Sequence, residues 1–174
     1  MKKSIFISYS EIDNNKMNAL SNAINRDKIF QPIVVAHRKK PGKALSEKVK
    51  NYLNDCNLKY IVPIITKNSL NSQWVNQEIG YATAKNITVI PIIDSFILDK
   101  LKGFINKQID LSFTFKSNSS NTQVETNNFK KSYKALLQHI KEDNFREKLW
   151  DMLYGSYLKD NLRIPEHDKK LVRL

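Results

Sequence analysis

The stretch Tyr60-Ile61-Val62-Pro63-Ile64-Ile65-Thr66, followed closely by Ser72-Gln73-Trp74-Val75-Asn76-Gln77-Glu78-Ile79-Gly80-Tyr81-Ala82, decides the fold. The first run is apolar and predicts a buried strand. The second run predicts a helix with Ser72 as its N-cap, and Glu78 lies beyond the first turn, so neither capping nor the helix dipole accounts for this acid. Parallel α/β sheets bind ligands outside the carboxyl ends of their strands, which makes Glu78 a candidate functional residue.

The same alternation of strand and helix patterns extends in both directions along the chain. Strands are predicted at residues 3–8, 31–36, 60–66, 87–93 and 109–113, and helices at residues 14–25, 45–56, 74–85 and 96–105. Strands that alternate with helices through short connections form parallel sheets. We therefore predict an α/β, flavodoxin-like, doubly wound parallel sheet of about five strands with helices on both faces.

The chain changes character after residue 115. Residues 116–128 are rich in Ser, Asn and Thr and predict a long surface loop. Residues 129–141 and 145–162 predict two helices, the second with apolar and aromatic side chains at helical spacing. We divide the chain into a domain of residues 1–143 and a C-terminal helical extension of residues 144–174. The aromatic residues of this extension are expected to pack onto the domain, with a homodimer or partner-docking surface as the alternative.

Composition limits the possible classes of protein. The chain of 174 residues carries one cysteine, Cys56, which excludes a disulfide framework and a CxxC metal pair and fits a reducing cytoplasm. No run approaches the ~20 apolar residues of a membrane span. The net charge of +12 has two explanations. It belongs to a lysine-rich surface that keeps the protein soluble, or it attracts an anionic ligand such as a dinucleotide. Zinc-finger spacing and RNA-binding aromatic motifs are missing, so we expect no nucleic-acid partner. Cys56, His139 and His167 show no ligand arrangement, so we expect no metal, and without an apolar span we expect no membrane partner.

Several α/β families are excluded by their motifs. The chain contains no GxxxxGK(S/T) phosphate-binding loop and no GxGxxG after the first strand. A response-regulator receiver would need an aspartate at the end of the third strand, where this chain has Thr66.

Four segments of the chain resemble a TIR domain over about residues 3–140. Residues 5–10 (IFISYS), followed by Asp13, look like the family's opening motif. Residues 37–45 (HRKKPGKAL) look like its BB loop, with Gly42 at the turn, and residues 68–74 (NSLNSQW) are similar to its serine-x-tryptophan element. Trp74 and Glu78 match the WxxxE spacing of members that cleave NAD+.

The resemblance implies one of two functions, since some TIR domains assemble with other TIR domains and others cleave NAD+ at the nicotinamide–ribose bond. Nicotinamide leaves as a neutral molecule, so no general acid is needed, and one carboxylate can stabilise the oxocarbenium-like ribose. The resemblance implies that Glu78 is this carboxylate. The alternative is a solvated helix acid paired with Lys85 or Lys67.

The resemblance also implies four substrate contacts, each with an alternative or a departure from the family. Tyr9 and Trp74 would contact the substrate or belong to the core. Ser72 would contact the substrate or only cap its helix. Ser10 would contact the substrate, but some active relatives carry an arginine or phenylalanine near this position, so the serine departs from their pattern. NAD+ is the expected substrate, and no cofactor is expected.

The loop of residues 37–43, called the basic loop below, is expected to make the contact between copies in an oligomer. In the family, this loop mediates TIR–TIR contacts and helps to close the active site, so the resemblance implies a homo-oligomer in which the loop of one copy covers Glu78 of the next. A solvated basic loop is the alternative. The residues concerned are Arg38, Lys39, Lys40, Pro41, Gly42 and Lys43.

The leading function is therefore that of a cytoplasmic NAD+ glycohydrolase or ADP-ribosyl cyclase. A short TIR chain looks like the bacterial Thoeris anti-phage type, in which a cyclic ADP-ribose-like product signals to a separate effector protein. One alternative is a non-catalytic adaptor, which needs the same fold but not Glu78. Another is a nucleoside deoxyribosyltransferase, in which the glutamate would be a covalent nucleophile.

Overall fold

A computed structural model describes residues 2–35, 47–70, 72–101, 111–118 and 120–159. Two compact units are present, one of residues 1–136 and one of residues 137–174. The predicted division of the chain after residue 143 stays a prediction. None of the described helices is long and apolar enough to cross a membrane.

A parallel sheet runs through the first unit. Its described strands are β1 (Lys3–Ser8), β2 (Phe30–Val34), β3 (Leu58–Ile65), β4 (Thr88–Val89), β5 (Ile92–Asp94) and β6 (Phe113–Phe115). The strand order is β2-β1-β3-β5-β6, with β4 also paired to β3, and these pairs are parallel. The predicted flavodoxin-like sheet of about five strands is confirmed.

The predicted fourth strand, residues 87–93, is divided into β4 and β5. Ile90 and Pro91 separate the two pieces, and the Ile90 amide donates to the carbonyl of Ile61 at 3.0 Å. Proline has no amide hydrogen, so the ladder is interrupted at Pro91. The last strand is also displaced, since β6 begins at Phe113, where the sequence predicted a strand to end.

The face of the sheet on which each helix lies follows from the direction of the connections between strands. The described helices are α1 (Asn14–Asn25), α2 (Glu47–Leu53), α3 (Gln73–Ala84) and α4 (Thr122–Lys159), with short 3-10 segments at Glu11–Asp13 and Ser95–Lys100. From β1 the chain first moves outward to β2, then crosses back to β3 and continues the other way. Because parallel crossovers are right-handed, α1 lies on one face of the sheet and α2 and α3 lie on the other.

The core fixes the rotation of α3 against the sheet. Phe6 of β1 clusters with Ile61 of β3 and Ala82 of α3. Val75 and Ile79 of α3 belong to a second cluster that contains β3 and β5 residues. Side chains two residues apart share a face of a strand, so Ser8 lies on the same face of β1 as Phe6 and is directed towards α3.

The C-terminal prediction needs two corrections. Residues 116–128 were expected to form a loop, but α4 begins at Thr122, where the side chain of Asn121 accepts a hydrogen bond from the Val124 amide at 3.1 Å. The two predicted helices are one continuous helix. Within the C-terminal part of α4, Trp150 and Tyr154 stack with ring centroids 4.3 Å apart. The expected packing of the aromatic residues of the extension onto the domain stays a prediction.

Candidate active site

The candidate site lies at the topological switch point of the sheet, between the carboxyl ends of β1 and β3. The chain leaves β1 towards α1 on one face and leaves β3 towards α3 on the other. Divergent connections of this kind open a crevice at the strand ends, where doubly wound proteins bind their ligands. Tyr9 and Ser10 follow β1, and Ser72 precedes α3, so three predicted site residues come from segments that flank this point.

Glu78 is drawn into the interior at this edge of the sheet. Its side chain is 0% exposed, and its Oε2 atom accepts a hydrogen bond from Ser8 Oγ at 2.5 Å. The alternative of a solvated acid is therefore wrong. Lys85, one of the suggested partners, instead lies over the ring of Tyr81.

Burial changes the acidity of Glu78. Loss of solvent raises the pKa of the Glu78 carboxyl from 4.5 to about 7, and the hydrogen bond from Ser8 opposes part of that rise. Near neutral pH the group is therefore divided between its protonated and ionised forms. A buried carboxyl whose pKa lies near the working pH is a common feature of active sites.

Tyr9 shares the electrostatic environment of Glu78. Its side chain is buried. Burial raises the pKa of the Tyr9 phenol above 10.0, and the carboxylates of Glu11 and Glu78 raise it further. The structure thus brings Tyr9 near Glu78, and contact of Tyr9 with a substrate stays a prediction.

Ser10, Ser72 and Trp74 have structural roles in the described conformation. The carbonyl of Ser10 accepts from the Asp13 amide at 2.7 Å, which closes the turn after β1. Ser72 is the N-cap of α3, and its side chain accepts from the Val75 amide at 3.5 Å. Trp74 is half-buried against the cluster that contains Phe6. Substrate contact by any of the three stays a prediction.

Asp13 links the two segments on either side of the switch point, a role that its place in the opening motif did not reveal. It is 1% exposed and accepts hydrogen bonds from Thr66 Oγ1 at 2.6 Å and Asn68 Nδ2 at 3.2 Å. Lys16 lies 3.7 Å from Asp13 and 2.6 Å from Glu125 of α4. This network holds the segment that leads from β3 into α3 against the turn after β1.

From the sequence, Ser8 was only the end of a predicted strand, yet its hydroxyl group donates a hydrogen bond to Glu78. Two signals were available: Ser8 is two residues from Phe6 on a buried strand, and the third helix crosses that face of the sheet. Neither signal identifies a hydrogen bond until the helix is rotated into place.

The basic loop residues Arg38, Lys39, Lys40, Pro41, Gly42 and Lys43 lie outside the described residues, so their role in oligomer contacts stays a prediction. In the part of the chain that the structure describes, no group of three His, Cys, Asp or Glu side chains is placed to hold a metal ion.

Comparison with known proteins gives one family and one fold. A family model described as TIR domain matches residues 5–126. No curated protein matches the chain. Among solved structures, the TIR domains of the activated Roq1 resistosome, which directly recognises the pathogen effector XopQ, align with a TM-score of 0.54 at 17% identity, covering 80% of this chain and 99% of that one. This similarity supports the fold.

A second solved structure is more distant. It is the sugar isomerase domain of the RpiR transcription factor from Sphaerobacter thermophilus, with a TM-score of 0.47 and 8% identity, covering 89% of this chain and 78% of that one.

Proposed function

Because the chain belongs to the TIR domain family, we propose that it cleaves NAD+ at the nicotinamide–ribose bond, with Glu78 as the catalytic residue. The observation that carries this proposal is the position of Glu78: a carboxyl group buried at the switch point of the sheet with a pKa of about 7. Burying a carboxyl costs free energy, so a role that needs the acid accounts for its place better than packing alone does.

The chemistry needs one carboxylate. As the bond to nicotinamide breaks, positive charge moves from the pyridinium ring to the ribose, and nicotinamide leaves without needing a proton. An ionised Glu78 would accept hydrogen bonds from ribose hydroxyls and stabilise the charge that develops on the ribose. A site that excludes water once the substrate is bound would strengthen this interaction, because its dielectric constant is low.

The described conformation requires a further step, because a carboxyl that is 0% exposed cannot touch a substrate. We propose that association of two or more copies makes Glu78 accessible, in line with the TIR–TIR assembly that the family implies. The specific rate of nicotinamide release should then rise with protein concentration. A specific rate that stays constant from far below to far above the concentration at which the protein associates would argue against this step.

The second product depends on what attacks the ribose. Water would give ADP-ribose, and a hydroxyl or ring nitrogen of the substrate itself would give a cyclic ADP-ribose isomer. We propose that this product acts in the cytoplasm as a signal to a separate effector protein in anti-phage defence. The support for this part is the family resemblance alone.

The test is to incubate the purified protein with NAD+ and separate the products by chromatography with mass detection. Glu78→Gln should reduce nicotinamide release to background, because it removes the charge and keeps the shape. Glu11→Gln is the matched control, since it removes an exposed carboxylate near the same tyrosine. Equal loss in both variants would mean that general electrostatics, and not Glu78, supports the activity.

A second candidate function is a non-catalytic TIR–TIR interaction module. The full burial of Glu78 favours it, because the carboxyl is out of reach of a substrate in the described conformation. This candidate predicts that the wild-type protein releases no nicotinamide even when assembled, and that Glu78→Gln assembles normally.

A further inference from the structure

The hydroxyl group of Ser8 lies on a central strand of the described sheet. Ser8 is the last residue of β1, a strand paired with β2 on one side and β3 on the other, and its register partner on β3 is Pro63. Its side chain is 0% exposed. The hydrogen bond from Ser8 to Glu78 therefore joins a central strand to a helix that lies 70 residues further along the chain.

The geometry of this bond favours an ionised acceptor. The distance of 2.5 Å between Ser8 Oγ and Glu78 Oε2 is in the range of a hydroxyl that donates to a charged carboxylate. A glutamate side chain on a helix has three rotatable bonds, and a donor anchored on a strand removes much of that freedom. The bond thus acts on both the charge and the orientation of Glu78.

We propose that Ser8 is a positioning residue for Glu78, whose hydroxyl holds the ionised carboxylate in one orientation at the switch point between β1 and β3. This inference rests on the proposed function for its catalytic consequence, although the effect on Glu78 can be measured without a substrate.

The surroundings of Glu78 make its ionisation sensitive to Ser8. Burial raises the pKa of Glu78, and the Ser8 hydroxyl lowers it again. In the segment after β1, the phenol of Tyr9 interacts electrostatically with Glu78, and Glu11 acts on the same phenol. Tyr9 titrates well above neutral pH, so it stays protonated in the range where Glu78 ionises. Loss of the Ser8 hydroxyl should therefore raise the pH at which Glu78 ionises.

The experiment compares Ser8→Ala with a control on the same strand, Ser4→Ala. Ser4 is also 0% exposed, shares the same face of β1 and accepts a hydrogen bond from Gln31 Nε2 at 3.1 Å, away from Glu78. In Ser8→Ala, the acid limb of the pH–rate profile should move up by about one pH unit, which lowers kcat at neutral pH by about fivefold. Near pH 9, where Glu78 is ionised in both proteins, any remaining loss of kcat measures orientation. Ser4→Ala should leave the profile unchanged.

Two further variants separate the hydroxyl group from the shape of the side chain. Ser8→Thr keeps the hydroxyl and should restore the wild-type profile. Ser8→Cys keeps the shape but donates weakly and should behave like Ser8→Ala, which guards against an alanine variant that fails to fold. A wild-type profile in both Ser8→Ala and Ser8→Cys would overturn the inference.

A titration without substrate distinguishes failure of this inference from failure of the proposed function. The carboxyl carbon of Glu78 can be followed by NMR, with its resonance assigned by its loss in Glu78→Gln. A midpoint about one pH unit higher in Ser8→Ala supports the positioning role, whereas an unchanged midpoint overturns it. Absence of nicotinamide release by the wild-type protein would instead remove the proposed function, whichever way the titration falls.

Discussion

Replacing Glu78 with glutamine is expected to stabilise the folded protein at alkaline pH and to remove part of the pH dependence of its unfolding. Burial raises the pKa of Glu78 from 4.5 to about 7, so the folded protein binds a proton there more tightly than the unfolded chain does. The stability that this group contributes is therefore fully present below about pH 4.5 and is lost as the pH rises to about 7. Glutamine stays neutral throughout and keeps an oxygen that accepts from Ser8.

The magnitude follows from the two pKa values. The interval between 4.5 and about 7 corresponds to about 3 kcal/mol, at about 1.4 kcal/mol per pKa unit. The free energy of unfolding of the variant, relative to the wild type, should increase by about 2 to 3 kcal/mol between about pH 5 and about pH 8. For a domain of this size, that difference corresponds to roughly 5 to 10 °C in the thermal midpoint.

The assay is urea unfolding followed by circular dichroism at both pH values, for the wild type, Glu78→Gln and Glu11→Gln. The exposed Glu11 provides the matched control, and its variant should follow the wild type at both pH values. A stability difference between wild type and Glu78→Gln that is the same at both pH values would refute the reasoning, because Glu78 would then have the same pKa in the folded and unfolded states.

Three further changes test other parts of the structure by urea unfolding. Asp13→Asn should lower the free energy of unfolding by about 1 to 3 kcal/mol, because a buried acceptor of Thr66 loses its charge and its ion pair with Lys16; an unchanged value would show that the network contributes nothing. Ser72→Ala should cost about 1 kcal/mol through loss of the α3 N-cap, and no loss would exclude the capping role. Met152→Lys should change stability by less than about 0.5 kcal/mol, because Met152 is 73% exposed, and a larger loss would show that this side chain is covered in solution.

The sheet could be predicted because its central strands, β1 and β3, are buried on both faces and therefore form apolar runs in the sequence. Residues 60–66 and β3 coincide almost completely for this reason. The predicted element boundaries are wrong where a single local interaction matters more than the composition of the segment. Pro91 divides a predicted strand because it lacks an amide donor. Asn121 begins a helix inside a polar segment because its side chain satisfies an amide of the first turn.

The sequence contains a pattern that predicts the burial of Glu78, although a charged residue is usually expected to be exposed. Val75, Ile79 and Ala82 are buried residues of α3 and lie three or four positions from one another, and Glu78 occupies the same face. On β1, Ser8 continues the face that Phe6 begins. Since the connection from β3 is right-handed, α3 must cross that same face of the sheet. An acid on the inner face of the helix and a hydroxyl on the strand face beneath it are complementary, because a buried carboxyl needs a donor.

The rotation of α3 about its axis cannot be predicted from the sequence. This rotation brings Oε2 of Glu78 to 2.5 Å from Ser8 Oγ, and it depends on how Val75 and Ile79 pack against Ile65 and Ile93.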